Sequence, residues 1–266
     1  MAYGEKDNLI GSWSLDKLEF LRKYLPIYIK ATSKAIHRYY VDCFAGRGKW
    51  IEKESLKEVD GSVSISLDYS GDFTKLFYIE LNEDRVKDIE KLASVKSPKR
   101  NYEIIKGDCN VMIRKVMPQI HPKAPTFVFI DPSSDQVKWS TIEYLSKWRT
   151  ELFILYPYQM TIRRYLPKDT SKIQSWQIER LNDFFGTNLW YDIYINHRRT
   201  YLLSKLLDLY TNRLKEIGYK YVNVSDVFKK PSGPDLYYMI WVGKHKAGNE
   251  IMKWVYEQQN PQLSLF

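Results

Sequence analysis

The chain predicts an α/β domain built on a mostly parallel sheet, and three observations carry that prediction. Short apolar runs recur, each followed by an acid: Tyr39-Tyr40-Val41 by Asp42, Leu76-Phe77-Tyr78-Ile79 by Glu80, Tyr102-Glu103-Ile104-Ile105 by Asp108, and Thr126-Phe127-Val128-Phe129-Ile130 by Asp131. Stretches with helical spacing separate them, as in Val86, Ile89 and Leu92. Alternation of this kind is the pattern of βαβ units, whose ligands lie beyond the carboxyl ends of the strands. The first run also turns abruptly into a loop carrying Gly46 and Gly48, where a bare backbone admits positive φ and a close ligand.

Each element has a local reason. The segment 39–48 reads as a buried strand passing into Asp-x-Phe-x-Gly-x-Gly, which lacks the three glycines of the dinucleotide pattern. Residues 49–60 are charged and without a periodic apolar face, so they read as a loop, a lid or a solvated insertion beside the crevice. Gly61-Ser62 then opens the first crossover helix with Ser62 as its N-cap. Asn82-Glu83-Asp84-Arg85 starts the helix after Glu80, and Asp108 or Asn110 caps the one after the third strand. The fourth run is the most continuously apolar, as suits a central parallel strand covered on both faces. A fifth strand ends near Leu155-Tyr156-Pro157-Tyr158. Residues 201–217 form a helix stopped by Gly218, and residues 219–228 and 236–243 form strands around a Pro- and Gly-containing turn, hence an antiparallel hairpin. A last helix covers 249–257, followed by a loose tail in which 261–266 is either a docking peptide or a frayed end.

The order of these acids resembles that of class I S-adenosylmethionine methyltransferases. The resemblance implies a Rossmann-like methyltransferase sheet, mostly parallel with a carboxyl-terminal antiparallel hairpin. It implies S-adenosylmethionine as cofactor, with Asp42, Phe44, Gly46 and Gly48 around its methionine and adenosine portions. Glu80 would bind the ribose hydroxyls, Asp108 with Cys109 would face the adenine amine, and Asp131-Pro132 would stand where methyl group and substrate meet. A carboxylate can accept both ribose hydroxyls at once.

More narrowly, the chain looks like the three-Cys-motif partner family. The residues responsible are an amphipathic stretch over 13–25 with Lys17 and Tyr24, then 42–48, Gly61-Ser62, the strand ending at Glu80, Phe129-Ile130-Asp131-Pro132 and Tyr237-Tyr238-Met239-Ile240-Trp241. The family implies a neighbouring protein that bears the cysteine cluster, often in phage-related or mobile regions. It departs here at Arg47, where proline is common, and at Ser133-Ser134, where Tyr-Gly is common.

Enzymes that methylate base amines generally show Asp/Asn-Pro-Pro-aromatic, and Asp131-Pro132-Ser133-Ser134 keeps its first two elements. A stacking ring would come from Tyr156, Tyr158 or Trp139, unless these aromatics only pack. The net charge of +9 invites phosphate contact. Arg163, Arg164, Arg198 and Arg199 fall among aromatics within residues 158–200, a helical insertion that either meets nucleic acid or is a solvated basic face. Residues 1–157 and 201–266 form the methyltransferase-like domain around it.

Cys43 and Cys109 are the only cysteines, expected reduced and buried at strand ends, and the spacing of Cys and His indicates no metal site. No apolar run nears the roughly 18 residues of a membrane span, and the polar start is no signal peptide, so a cytoplasmic protein is expected. The leading expectation is a methyltransferase acting on nucleic acid, with Asp131 orienting the acceptor. A non-catalytic accessory protein serving a three-cysteine partner is the alternative, and a nucleic-acid hydrolase ranks last for want of clustered metal-binding acids.

Overall fold

The computed structural model describes residues 9–11, 13–97, 101–229 and 235–258. Most of the turn before the last strand, and the tail from 259 with its docking-peptide segment, lie outside the described residues. In chain order the elements are β1 (Leu9–Ile10), α1 (Trp13–Ala31), β2 (Tyr39–Asp42), β3 (Lys49–Glu52), β4 (Glu58–Asp60), α2 (Ser62–Leu67), β5 (Lys75–Glu80), α3 (Glu83–Lys96), β6 (Tyr102–Lys106), α4 (Cys109–Val116), β7 (Thr126–Ile130), α5 (Trp139–Leu145) and β8 (Thr150–Tyr156). A π-helical turn (Tyr158–Ile162) leads into α6 (Arg163–Tyr165), α7 (Ser175–Phe185), α8 (Leu189–Asn196) and α9 (Arg199–Glu216). Then follow β9 (Tyr221–Val224), β10 (Phe228–Lys229), β11 (Asp235–Gly243) and α10 (Lys246–Glu257).

The main sheet runs β6-β5-β2-β7-β8-β11. Its first five strands are parallel. The long β11 lies antiparallel to β8, and β9 and β10 pair antiparallel with β11. This is the expected Rossmann-like methyltransferase sheet, with order reversing at β2, so the carboxyl ends of β2, β5, β6 and β7 share one edge. The expected terminal hairpin is present as β9 and β11, with Val224 opposite Ile240.

Strand alternation explains the two-sided core. Phe77, Ile79, Val128 and Ile130 face one hydrophobic cluster, and Leu76, Tyr78, Phe127 and Phe129 face the other. Central strands must therefore be apolar at every position, which is why β7 reads as a continuous run. Segment 158–200 contributes Leu181, Phe184, Phe185, Trp190 and Tyr194 to the first cluster, so this helical segment is bolted to the sheet's own core.

Residues 49–60 are not a loop: β3 and β4 pair as a hairpin, and β1 adds to it in parallel as a second, three-stranded sheet. Leu56 takes φ +56° near the turn. The pattern hid this because only one large side chain, Trp50, faces inward. It lies against Gly46 and Gly61, where an added Cβ would come within 2.7 and 2.9 Å of the indole. Helix α1 is anchored across the sheet by the Tyr24 hydroxyl, which donates to the Glu151 carboxylate and accepts from Trp241 Nε1 at 3.0 Å.

Gly186, at the C-cap of α7, has φ +63°, and a Cβ there would lie 2.2 Å from the Trp139 ring. Gly186→Ala is expected to destabilise the fold by about 2 kcal/mol or more, from left-handed strain and overpacking together. Gly71→Ala, where nothing lies within 4 Å, should shift stability by less than about 0.5 kcal/mol. Chemical denaturation of both variants checks the pair; equal effects would contradict the packing described.

Candidate functional site

A cavity of about 850 Å³ opens at the shared strand edge. Its walls come from α1, the loop after β2, the β5–α3 and β6–α4 turns, the loop after β7, and α7. The loop after β2 is held to its neighbours by the backbone. Cys43 N–H donates to Phe129 C=O at 2.9 Å and Ala45 N–H to Ile79 C=O at 3.0 Å. Gly46 then turns with φ +67° and aims its N–H at Glu80 Oε2, 2.8 Å away. The other Glu80 oxygen accepts from Asn82 N–H at 2.9 Å. Glu80 is thus fixed by two amides at the rim, and an ionised carboxylate accepts about four hydrogen bonds, so it retains acceptor capacity.

Asn82 caps α3, accepting from Asp84 and Arg85 N–H. Asp108 caps α4 by accepting from Asn110 N–H at 2.7 Å and stays exposed at the cavity wall. Asn110 in turn staples two loops together: its amide donates to Gln136 C=O, and its carbonyl accepts from Lys138 N–H and the Thr141 hydroxyl. Cys109 and Cys43 both line the cavity as buried free thiols. The Cys43 thiol is pushed up, first by its hydrogen bond to the Cys109 sulfur and then by burial.

Beyond β7, Asp131 meets a cation that α1 brings in, with Lys17 Nζ 2.6 Å from its Oδ2. Its Oδ1 is buried and has no hydrogen-bond partner among the described residues. Pro132 is buried, and the following turn is closed by Gln136, whose Oε1 accepts from the Ser133 N–H and hydroxyl at 3.1 Å each. Asp135, its side chain only 2% exposed, accepts from Arg180 Nε at 2.7 Å, Arg180 Nη2 at 3.2 Å and the Tyr165 hydroxyl at 3.0 Å. That buried acid latches α6 and α7 to the loop carrying Asp131, and Arg180 reaches the cavity wall.

Phe44, Gly46, Glu80, Asp108, Cys109, Asp131 and Pro132 therefore come together around one cavity. Two other residues expected there are placed elsewhere. Gly48, with φ +82°, turns toward Leu92 and Val63, in the packing of α2 and α3. Asp42 is fully buried beneath the loop, where it accepts from Phe44 N–H at 3.2 Å and the Tyr40 hydroxyl at 3.3 Å. Ser62, expected as an N-cap, is the first residue of α2, with Gly61 at the cap position; its hydroxyl turns to Asp42.

Among the aromatics, Tyr156 packs against Phe184 and Tyr210, and Trp139 against Tyr210 beneath the Arg213 guanidinium. Tyr158 stacks edge-on against Tyr238 at 5.1 Å. Arg163, Arg164 and Arg198 are exposed on the helical segment, away from the cavity wall; the Arg199 side chain lies outside the described residues.

Sequence reasoning missed Trp50, Arg85 and Asp135 as parts of the site, read Asn110 only as a helix cap and Arg180 only as one of the basic residues of the segment 158–200, and gave Lys17 no role. Arg85 lies over the Trp50 ring at 5.7 Å, and its Nε is buried without a hydrogen-bond partner among the described residues. The only signal for it was its place one turn into the helix after Glu80. No group of His, Cys, Asp and Glu among the described residues can hold a metal ion, and no described helix is long and apolar enough to cross a membrane.

No family model matches the chain, and no curated protein matches it in sequence. Among solved structures it is similar to protein LPL1258 from Legionella pneumophila str. Philadelphia 1, described under the family model DUF519. The identity is 12%, over 97% of this chain and 92% of that one, with a TM-score of 0.55. It is also similar to the methyltransferase domain of a bacterial Hen1, at 8% identity over 84% of this chain and 99% of that chain, with a TM-score of 0.40. TYW2 from M. jannaschii, solved with AdoMet, aligns at 14% identity over 83% of this chain and 74% of that one, with a TM-score of 0.34. The first is a likeness of fold alone, and the other two are too distant to carry an argument about this chain.

Burial pushes the Asp42 carboxyl up to about 7, against hydrogen bonds from Ser62 and Phe44 that lower it, with the charge of Asp131 adding to the rise. The folded state then holds a proton that the unfolded state has released between about pH 4 and pH 7, so this group's contribution to stability is lost as pH rises through that window, by about 4 kcal/mol in all. Asp42→Asn keeps an acceptor for Phe44 N–H and removes the titration. Its denaturation midpoint should gain on the wild type between pH 5 and pH 8; parallel pH profiles would contradict the assignment.

Proposed function

We propose that this protein is an S-adenosylmethionine-dependent methyltransferase acting on nucleic acid. The single observation that supports the reading most is the convergence of Gly46, Glu80, Asp108 and Asp131 on one cavity at the carboxyl edge of a parallel sheet. The wall is chemically apt for the cofactor. Glu80 keeps lone pairs suited to paired hydroxyls, and Gly46 leaves its backbone bare where Trp50, another residue of the wall, packs against it. Asp108, whose Oδ1 takes the cap hydrogen bond, keeps acceptor capacity suited to the amine of a purine edge. When bound, the cofactor supplies an activated methyl group on a sulfonium. The chain's own work is then alignment and exclusion of water, and methyl transfer asks little acid–base help.

Asp131 is the residue placed to orient an acceptor. Its Oδ1 is a buried acceptor with nothing to accept from among the described residues, and a base amine is the kind of donor that would satisfy it. The net charge of +9 and the exposed Arg163, Arg164 and Arg198 on the segment that reaches the cavity through Arg180 support a polyanionic substrate.

One observation favours a second reading, an accessory protein of methyltransferase shape that works with a three-cysteine partner: Lys17 already neutralises Asp131. A carboxylate whose charge is already balanced within its own chain needs no substrate for that balance.

Incubation of nucleic acid with the protein and isotope-labelled S-adenosylmethionine, read by nucleoside mass spectrometry, separates the two. Transfer is expected, falling on the order of a hundredfold or more in Asp131→Ala while calorimetry shows the cofactor still bound. Absence of cofactor binding at millimolar concentration would favour the accessory reading, and undiminished transfer by Asp131→Ala would remove Asp131 from its role.

A further inference from the structure

Among the described residues four cations line the cavity: Lys17, Arg85, Lys138 and Arg180. Lys138 and Arg180 are each paired with an acid away from the acceptor position, Asp183 at 2.8 Å and Asp135 at 2.7 Å. Arg85 lies over Trp50. Lys17 differs in that its partner, Asp131, is the acid best placed for an acceptor. The pair is largely withdrawn from water, with side chains 17% and 13% exposed. Among the described residues the Lys17 ammonium is paired only with Asp131 Oδ2, which takes one of its three donors, and it stands at the end of a flexible four-carbon stem. Its helix is itself fixed by the Tyr24–Glu151–Trp241 hydrogen bonds, so any motion belongs to the side chain.

The cavity is polarised in its chemistry. Glu80 and Asp108 form a wall of acceptors suited to hydroxyls and amines, whereas Lys17, with Ser14 in the same lining, offers donors where a carboxylate can be held.

Resting on the reading above, we infer that Lys17 is the binding residue for the amino-acid carboxylate of the cofactor. In the free protein it is held by Asp131; in the loaded protein it is shared with or passed to that carboxylate, which releases Asp131 to take the acceptor amine. Filling of the cofactor arm thereby arms the acceptor arm, and the Lys17–Asp131 pair is the closed state of a productive site rather than a sign of inactivity.

Calorimetry with S-adenosylmethionine and with 5′-methylthioadenosine, which has the nucleoside and thioether but no amino-carboxylate arm, reads this directly. Lys17→Met should weaken S-adenosylmethionine on the order of ten- to a hundredfold and leave methylthioadenosine within about twofold. The double variant Lys17→Met/Asp131→Asn, which leaves no uncompensated charge, should show the same selectivity and keeps the test valid if the single variant folds poorly. Equal losses for both ligands, no loss, or the selectivity appearing in Arg85→Met instead would overturn the assignment. A wild-type protein that binds neither ligand would sink the cofactor reading itself, a distinct outcome.

Discussion

One carboxylate ties the site together. Glu80 ends β5, and its two oxygens take the N–H groups of Gly46 and Asn82, so the loop after β2 and the turn into α3 are fixed to the same side chain. A buried amide left without an acceptor costs on the order of 1–3 kcal/mol, so this arrangement is self-enforcing. The sheet supplies the rest. Because β2, β5, β6 and β7 are parallel, their chain ends all exit at one edge, and whatever polar residue follows each strand is delivered to the same rim.

The rim is not chemically uniform. Asp42 lies beneath it and is held near neutrality by burial, Glu80 is fixed by amides, Asp108 is spent partly on a helix cap, and Asp131 is balanced by Lys17. Only Asp131 combines a cation partner on a long side-chain stem with an oxygen that has no hydrogen-bond partner among the described residues. On the other flank, the buried Asp135 joins Tyr165 and Arg180 to the loop that carries Asp131. The Ser133-Ser134 departure from an aromatic motif thus coincides with a different way of stiffening that loop, through Gln136 and Asp135.

Much of this was legible in the sequence, and the reason is periodicity. Strands buried on both faces have no freedom to vary, so β5 and β7 announced themselves, as did the acids that follow them. The caps were readable too, since Asn82 and Asp108 sit where the first helical N–H groups need acceptors. The hairpin over 49–60 was not, because a small, mostly solvated sheet needs only one inward anchor, and Trp50 alone gives no alternation. Asp42 and Gly48 have the right chemistry for a ligand but turn inward, a choice made by packing against Tyr40, Ser62 and Leu92 that no linear pattern encodes. Lys17 was invisible as a site residue, and Arg180 legible only as one of the basic residues of 158–200, for a related reason: each reaches the cavity from a helix distant in sequence, and lysine and arginine on a helix usually face solvent.

In the proposed cofactor site, three separate chain segments form one binding wall. Hydrogen–deuterium exchange with and without S-adenosylhomocysteine measures that wall most directly. Slowed exchange is predicted together in segments 43–48, 80–85 and 107–110. No slowing in any of the three, or slowing confined to the helical segment 158–200, would contradict it.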